Sequence, residues 1–397
     1  VPNSIGDLRG KNILFLQGPM GNFFKKLDKN FRKKGAKTFR IGFNMGDRIF
    51  SYRDNYTPFR GKPTEWKEFI ETFLIENKID KIFLFGDCRF YQKVAREIAY
   101  RLNIDVFVFE EGYIRPHYIT LEKFGVNGFS QLPRDAKFYL QLPEKEIPIP
   151  KHAKTSKLKM VISATLYYAL ANLFSFRYPH YQHHRDFSAI KEAFYGVRGV
   201  IRKGIYKITE RNYQSIIEGK LSKRYYFVPL QTHNDFQILQ HSNYRSIEKF
   251  IIEVLESFAR HAPKDTYLIF KHHPVDRGRK NYSSFIYEQS ELLGVKSRIL
   301  VFHDVYLPSC LKNAIATVTI NSTVGLSAIG HGIPTKVLGN AIYDIEGLSN
   351  KDTPLKQFWH SHKKPDATLY KKFHCYLVEN TQLNGSFYGR MPDELKP

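Results

Sequence analysis

The sequence predicts an α/β protein built as two doubly wound domains with a cleft between them. Three observations carry this. Short runs that are apolar throughout alternate with amphipathic stretches of helical period, which is the pattern of parallel strands covered on both faces. The pattern stops and starts again near residue 222, and 397 residues are more than one hydrophobic core usually serves. Nearly every apolar run ends in polar or ionisable residues, where doubly wound sheets bind ligands.

Taken in order, "NILFLQG" reads as a buried strand, "NFFKKLDKNFRKKG" as an amphipathic helix and "TFRIGFN" as a second strand. The helix "TEWKEFIETFLIENKI", the strand "DKIFLFGD", the helix "RFYQKVAREIAYRLN" and the strand and loop "IDVFVFEEGYIRP" follow. Around residues 132–157 the pattern dissolves into the proline- and lysine-rich "LPEKEIPIPKHAKTSK", a connector or an excursion from the domain. The next stretch, "KMVISATLYYALANLFSFRYPHYQHHRDF", is helix-like, aromatic and basic, suited either to packing across the domains or to lying against lipid. A second series opens at "RYYFVPLQ" and runs through the helix "SIEKFIIEVLESFARHA", the strand "TYLIFKHHP", the helix "SSFIYEQSELLG", the strand "RILVFHD", the helix "LPSCLKNA", "IATVTINSTVGLSAIGHG" and "TKVLG". The expected domains are therefore 1–221, with a basic aromatic excursion at about 150–220, and 222–397, with C-terminal helices packing back.

Composition narrows the chemistry. A formal net charge of +23, spread along the chain, suits an anionic partner such as nucleic acid, phospholipid or a sugar nucleotide. Nucleic acid is disfavoured, because no aromatic-basic reader motif is visible. Three cysteines without CxxC spacing give neither a disulfide framework nor a zinc site, so a reducing cytoplasm is expected. The opening "VPNSIGDLRGKNILFLQG" lacks a signal-peptide pattern, and no apolar run approaches the roughly 20 residues of a membrane span.

The candidate site residues follow the strands. Gln17 and Gly18 come after the first, Asp87 and Arg89 after "KIFLFG", and Glu110 and Glu111 after "VFVF". In the second half come Gln231 and His233, then Lys271, His272, His273 and Pro274, then His303 and Asp304, then Asn321, Ser322 and Thr323. A carboxylate at Glu110 or Glu111 can serve as nucleophile or general base, and successive residues of a strand face opposite sides, so one of the two reaches a given atom. Asp87 is a second acidic candidate, and Arg89 can hold a substrate carboxylate in a bidentate pair, or Asp-Cys-Arg simply forms a turn. Arg115 is placed to pair with one glutamate. "NSTVGLSAIGHG" puts Ser322 and Thr323 at a strand-to-helix turn, either an ordinary cap or a phosphate site. His272 and His273 are expected to point apart, with His273 and Lys271 at a phosphate. His183 and His184 lack an acidic partner at useful spacing and are assigned to the surface.

The segments "FLQGPMGNFF", "FGDCRFY", "FEEGYIRPHYITLE", "VPLQTHND", "FKHHPVDRG", "NSTVGLSAIGHGIPTKVLG" and "NTQLNGSFY" together resemble the KpsS-type capsule polysaccharide proteins, retaining β-Kdo transferases of Gram-negative bacteria. The resemblance runs from about residue 12 to 388. It implies a GT-B enzyme with two Rossmann-like domains facing a central cleft, the first on the acceptor side and the second binding a CMP-sugar. It implies transfer of Kdo from CMP-Kdo to a phosphatidylglycerol or lysophosphatidylglycerol terminus, at the cytoplasmic face of the inner membrane. A KpsC-type transferase and the capsule export machinery are the partners it suggests.

A more distant similarity to bacterial GT-B sialyltransferases implies catalysis by Glu110 or Glu111 and CMP binding by His273, Pro274, Ser322 and Thr323. With that frame, Glu111 is the first choice of nucleophile and Asp87 the second. His273 assists the leaving group; Lys271, His272, Gln231, His233, Asn321 and Arg89 join the donor site, and Gln17, Gly18 and Arg115 the acceptor site. No metal or other obligatory cofactor is expected, since cations, imidazole and a helix terminus can meet the charge on departing CMP. A CMP-sialic acid transferase and a non-catalytic binder of anionic lipid or polysaccharide are the competing readings.

Overall fold

The apolar runs form two sheets in the computed structural model, which describes residues 5–183 and 189–397. Strands β1 (Asn12–Phe15), β2 (Lys37–Gly42), β3 (Tyr56–Pro58), β4 (Lys81–Phe85), β5 (Asp105–Glu111) and β6 (Tyr118–Lys123) come first. Strands β7 (Tyr225–Pro229), β8 (Tyr267–Lys271), β9 (Ile299–Phe302), β10 (Ala316–Thr319) and β11 (Thr335–Val337) follow, and β12 (Gln382–Asn384) lies near the C-terminus.

The first sheet has the order β12-β6-β5-β4-β1-β2-β3 and the second the order β11-β10-β7-β8-β9. Both contain the Rossmann order 3-2-1-4-5 when counted from their own first strand. The expected fold class, α/β with two Rossmann-like sheets, is met. In each sheet the strand order reverses beside the first strand, between β1 and β4 and between β7 and β10.

The all-parallel expectation needs correction for the first sheet. β6 and β12 were missed, and both run antiparallel: β6 returns beside β5 after a short loop, and β12 pairs with β6. Three-residue β12 is too short to show a period, and β6 carries polar residues at alternate positions. The second sheet is parallel throughout.

Alternation along the strands explains why both faces are covered. In the first sheet Leu14, Ile82, Leu84, Val106 and Val108 bury on one side. Ile13, Phe15, Phe83, Phe107 and Phe109 bury on the other, with Phe83 and Phe107 stacked at 5.0 Å. Each such side chain contributes about 1.5–3 kcal/mol of burial free energy. Helix Phe23–Lys33 packs with Phe23, Phe24, Leu27 and Phe31 buried, at helical spacing.

The chain divides into two compact units at places other than residue 222. One comprises residues 1–131, 147–189 and 375–397; the other comprises 132–146 and 190–374. The chain end therefore belongs with the first unit, where β12 completes the sheet, and residues 190–221 belong with the second. The reason for the latter is polar: helix Ala189–Thr209 and Glu210 hydrogen-bond to the loops after β8 and β9, contacts that leave no hydrophobic signature.

Candidate functional site

In the first unit Glu110 and Glu111 end β5, opposite Thr120 and Ile119 of β6. By alternation Glu110 falls on the Val106 and Val108 side and Glu111 on the Phe107 and Phe109 side. Glu110 is half-buried, accepts from the Glu111 N–H at 3.0 Å and lies close to Gly86 and Arg89. Burial pushes its pKa up to about 7, against the opposing pull of the Glu111 N–H and the Arg89 charge. Glu111 is exposed.

The loop that follows is fixed by a close approach. A Cβ on Gly112 would sit 2.2 Å from the Tyr118 carbonyl oxygen, so β5 can turn into β6 here with glycine alone. Tyr113 donates its hydroxyl to Glu122 at 2.6 Å and its N–H to Gln382 at 3.0 Å, which ties the loop to β6 and β12.

Asp87 takes the place that the turn reading of Asp-Cys-Arg gives it. It is 1% exposed and accepts from the Val126 N–H at 2.9 Å, from Arg96 at 3.2 Å and from the Cys88 thiol at 3.2 Å. Its oxygens are committed to holding the turn after β6. Arg115 likewise corrects its expected pairing: it donates to the Gly112 carbonyl at 3.3 Å rather than to a glutamate. Arg89 lies half-buried across the Phe85 ring at 5.4 Å.

Gln17 is buried, and its amide donates to the Tyr167 and Tyr181 hydroxyls at 2.8 and 3.1 Å and to Asp47 at 3.3 Å. Asp47 also accepts from the Phe43 N–H and the Tyr167 hydroxyl. Burial raises the Asp47 pKa and lowers that of neighbouring Arg40. Gln17 thus organises the strand end from below. Tyr167 and Tyr181, with Asn44 and Tyr178, line a cavity of about 730 Å³. Gly18 packs against Phe24. His183 meets the Tyr181 hydroxyl at 2.9 Å, and His184 lies outside the described residues.

In the second unit the switch point is closed by a side-chain pair. Gln231, after β7, donates to the Asn321 side chain at 3.0 Å and accepts from the Asn321 N–H at 3.2 Å. Beside it Ser322 caps helix Thr323–Gly330 by accepting from the Val324 N–H. Half-buried Thr323 opens that helix. On the other side of β7, His273 accepts from the Val275 N–H at 3.2 Å and caps the short helical turn Pro274–Gly278. The exposed Pro274 begins that turn. His233 is oriented by the buried Asp276, with Nδ1 2.7 Å from one carboxylate oxygen.

The two histidines after β8 do diverge. His272 is buried, and its Nε2 accepts from the Tyr282 N–H at 2.8 Å. Burial, helped by the neighbouring His303, presses its pKa down to about 3, so the ring is neutral where it accepts this bond. Lys271 is engaged within the protein as well. It is buried, its ammonium donates to the His303 carbonyl at 2.8 Å, and desolvation lowers its pKa.

Sequence reading missed the groups that hold this pole together. Glu210 meets His303 Nδ1 at 2.6 Å and accepts the His303 and Asp304 N–H groups. Burial alone would raise its pKa, and these hydrogen bonds outweigh it and leave the pKa lowered. Tyr206, His303 and His272 form a ring column with centroid spacings of 3.9 and 4.5 Å. Arg277 pairs with Asp304.

These features define a double-Rossmann α/β protein whose strand ends carry oriented imidazoles, carboxylates and a capped helix N-terminus. The family model described as "Capsule polysaccharide biosynthesis protein" matches residues 80–388, and the chain belongs to that family. It is similar to the capsule polysaccharide export protein KpsS of Escherichia coli, with 42% identity over 96% of this chain and 98% of the relative. It is also similar to the capsule polysaccharide modification protein LipB of Neisseria meningitidis serogroup B, with 37% identity over 96% of this chain and 92% of the relative. A solved Thermosulfurimonas dismutans KpsC, titled a beta Kdo 2,7 transferase, aligns over 92% of this chain and 90% of its own at 13% identity and a TM-score of 0.43.

Proposed function

We propose that this protein is a retaining β-Kdo glycosyltransferase that moves Kdo from CMP-Kdo to phosphatidylglycerol or its lyso form, at the cytoplasmic surface of the inner membrane. The observation that carries the reading is the second unit's switch point. The Gln231–Asn321 pair is flanked by His273 on one side and the Ser322-capped helix on the other. Backbone N–H groups, a helix dipole and imidazole are suited to the phosphate of a CMP leaving group. The resemblance to the KpsS-type transferases suggests the sugar and the lipid acceptor, and membership of a capsule polysaccharide family supports that reading.

In this reading the second unit holds CMP, and His233, oriented by Asp276, offers its Nε2 to the departing phosphate. Glu110 replaces Glu111 as the favoured catalytic carboxylate, because it is the one enclosed near Arg89 with a pKa near neutrality. One Glu110 oxygen attacks C2 of Kdo while the C2–O bond to CMP breaks and CMP leaves with the electron pair. The acceptor hydroxyl oxygen then attacks C2, the glutamyl bond breaks, and the hydroxyl proton passes to a base. Arg89 is the candidate partner for the Kdo carboxylate. No metal-dependent step is invoked.

The test is incubation with CMP-Kdo and a fluorescent phosphatidylglycerol analogue, followed by mass and linkage analysis. A single β-linked Kdo on the lipid supports the proposal. Release of CMP from CMP-sialate alone, with none from CMP-Kdo, would overturn it.

A further inference from the structure

Helix Ala189–Thr209 is turned inside out. Three of its charged residues face the protein: Arg198 donates to the Gly278 and Arg279 carbonyls, Arg202 to the Arg277 carbonyl, and Glu192 pairs with Arg279. Its backbone lies so close to the loop after β8 that a Cβ on Gly278 would be 2.0 Å from the Tyr195 carbonyl oxygen. The apolar residues Phe194, Val197, Val200, Ile201, Ile205 and Ile208 recur at helical spacing on the outside, with Val200 73% and Ile208 69% exposed.

Helix Lys157–Leu173, in the first unit, repeats the arrangement. Tyr167 is buried on one side, while Leu158, Val161, Ile162, Leu166 and Leu173 are exposed on the other, Leu158 and Leu173 at 68% each. Single exposed apolar residues need no explanation, but two consecutive helices with outward stripes do.

Among the described residues, the exposed charges on these two helices are of one sign. Lys157 and Lys159 stand at the start of one helix, and Lys191, Lys203 and Lys207 are exposed on the other. The only acidic residue within either helix, Glu192, is turned inward to Arg279, and Glu210 just beyond the second is turned inward to His303. Two copies of such a face would bring like charges together. An anionic bilayer would instead receive both the apolar stripe and the lysines. Among the described residues no helix is long and apolar enough to cross a membrane, so these helices would lie in its surface.

We infer that helix Ala189–Thr209, in the second unit, docks the protein on an anionic lipid bilayer through its apolar stripe and exposed lysines, and that helix Lys157–Leu173 is an interfacial helix of the same kind in its own unit. The inference extends the lipid-acceptor reading, on which its biological sense rests, and is tested without donor or acceptor so that the two can fail separately. The full chain is sedimented with vesicles of phosphatidylcholine alone or of phosphatidylcholine and phosphatidylglycerol.

Binding is expected to the anionic vesicles and to weaken with salt, by about fivefold for each lysine removed in Lys203→Gln and Lys207→Gln. The pairs Val197→Glu/Ile201→Glu and Val161→Glu/Leu166→Glu should each reduce it at least about tenfold. Circular dichroism checks folding of each variant, and the exposed lysine variants serve if a glutamate pair unfolds. Equal binding by wild type and variants, or no preference for anionic vesicles, overturns the inference. So does a dimer in light scattering that the glutamate pairs dissociate without any vesicle binding, which would make the face an interface between copies.

Discussion

His233 and Asp276 make two hydrogen bonds to each other: the ring Nδ1 lies 2.7 Å from one carboxylate oxygen, and the His233 N–H donates to the other at 2.8 Å. Asp276 is 1% exposed, so these bonds form away from water and fix both the ring and the strand end that carries it. With Nδ1 donating, Nε2 is the nitrogen left for a ligand.

The pair should therefore act as a unit. His233→Ala and Asp276→Asn are each expected to lower transfer from CMP-Kdo by about 10²-fold, and the double variant by little more than either. Asp276→Ala should also cost about 1.5–3 kcal/mol of stability, because two donors lose a charged acceptor. Steady-state kinetics and urea denaturation measure the two effects; additive kinetic losses would separate the residues.

Glu110 gives a pH signature with two parts. As nucleophile it must be ionised, so the transfer rate should rise between pH 6 and 8, half-maximal near its pKa of about 7. Its folded pKa stands above the usual 4.5, so the native state binds the proton more tightly than the unfolded chain. Its contribution to stability consequently falls as pH rises from 4.5 through 7. Glu110→Gln should abolish transfer yet be more stable than wild type at pH 8, by about 1–2 kcal/mol after allowing for partial exposure, and equal to it at pH 4. An inactive Glu111→Gln beside an active Glu110→Gln would return the catalytic role to Glu111.

The strands and their polar ends were legible because both are local. "YLIFKHHP" shows an apolar run ending in two histidines, and alternation along the chain is enough to send His272 inward and His273 elsewhere. What holds these ends was not legible. Glu210 reaches His303 from 93 residues away and Asp276 reaches His233 from 43, and neither carries a local pattern. The internal partners of Asp87 and Lys271 were hidden for a related reason. A strand end tells which residue arrives there, but not whether Arg96 or the His303 carbonyl already binds it.

Asp87 should accordingly behave as a structural group. It and Arg96 form a buried ion pair, 1% and 7% exposed at the side chains, and removing one partner leaves the other charge uncompensated. Asp87→Ala is expected to cost about 3–5 kcal/mol, seen in thermal or urea unfolding. A folded, equally stable Asp87→Ala that lacks transfer activity would instead restore it as a catalytic candidate.

His272 makes the last prediction, and its sign is opposite to that of Glu110. The unfolded ring titrates near 6.5, whereas the native ring, buried between Tyr282 and His303, titrates near 3. Between these values the unfolded chain holds a proton that the native state does not. Stability from this group is thus fully present above pH 6.5 and is lost as pH falls toward 3, by at most about 5 kcal/mol at 1.4 kcal/mol per pKa unit. His272→Gln removes the titration while keeping a side chain able to accept from the Tyr282 N–H. Denaturation curves at pH 7.5 and 4.5 should therefore show a smaller drop for the variant than for wild type. The other carboxylates and histidines titrate in both proteins and cancel in the comparison, so equal drops would mean that the His272 ring is protonated, and therefore hydrated, in the folded protein.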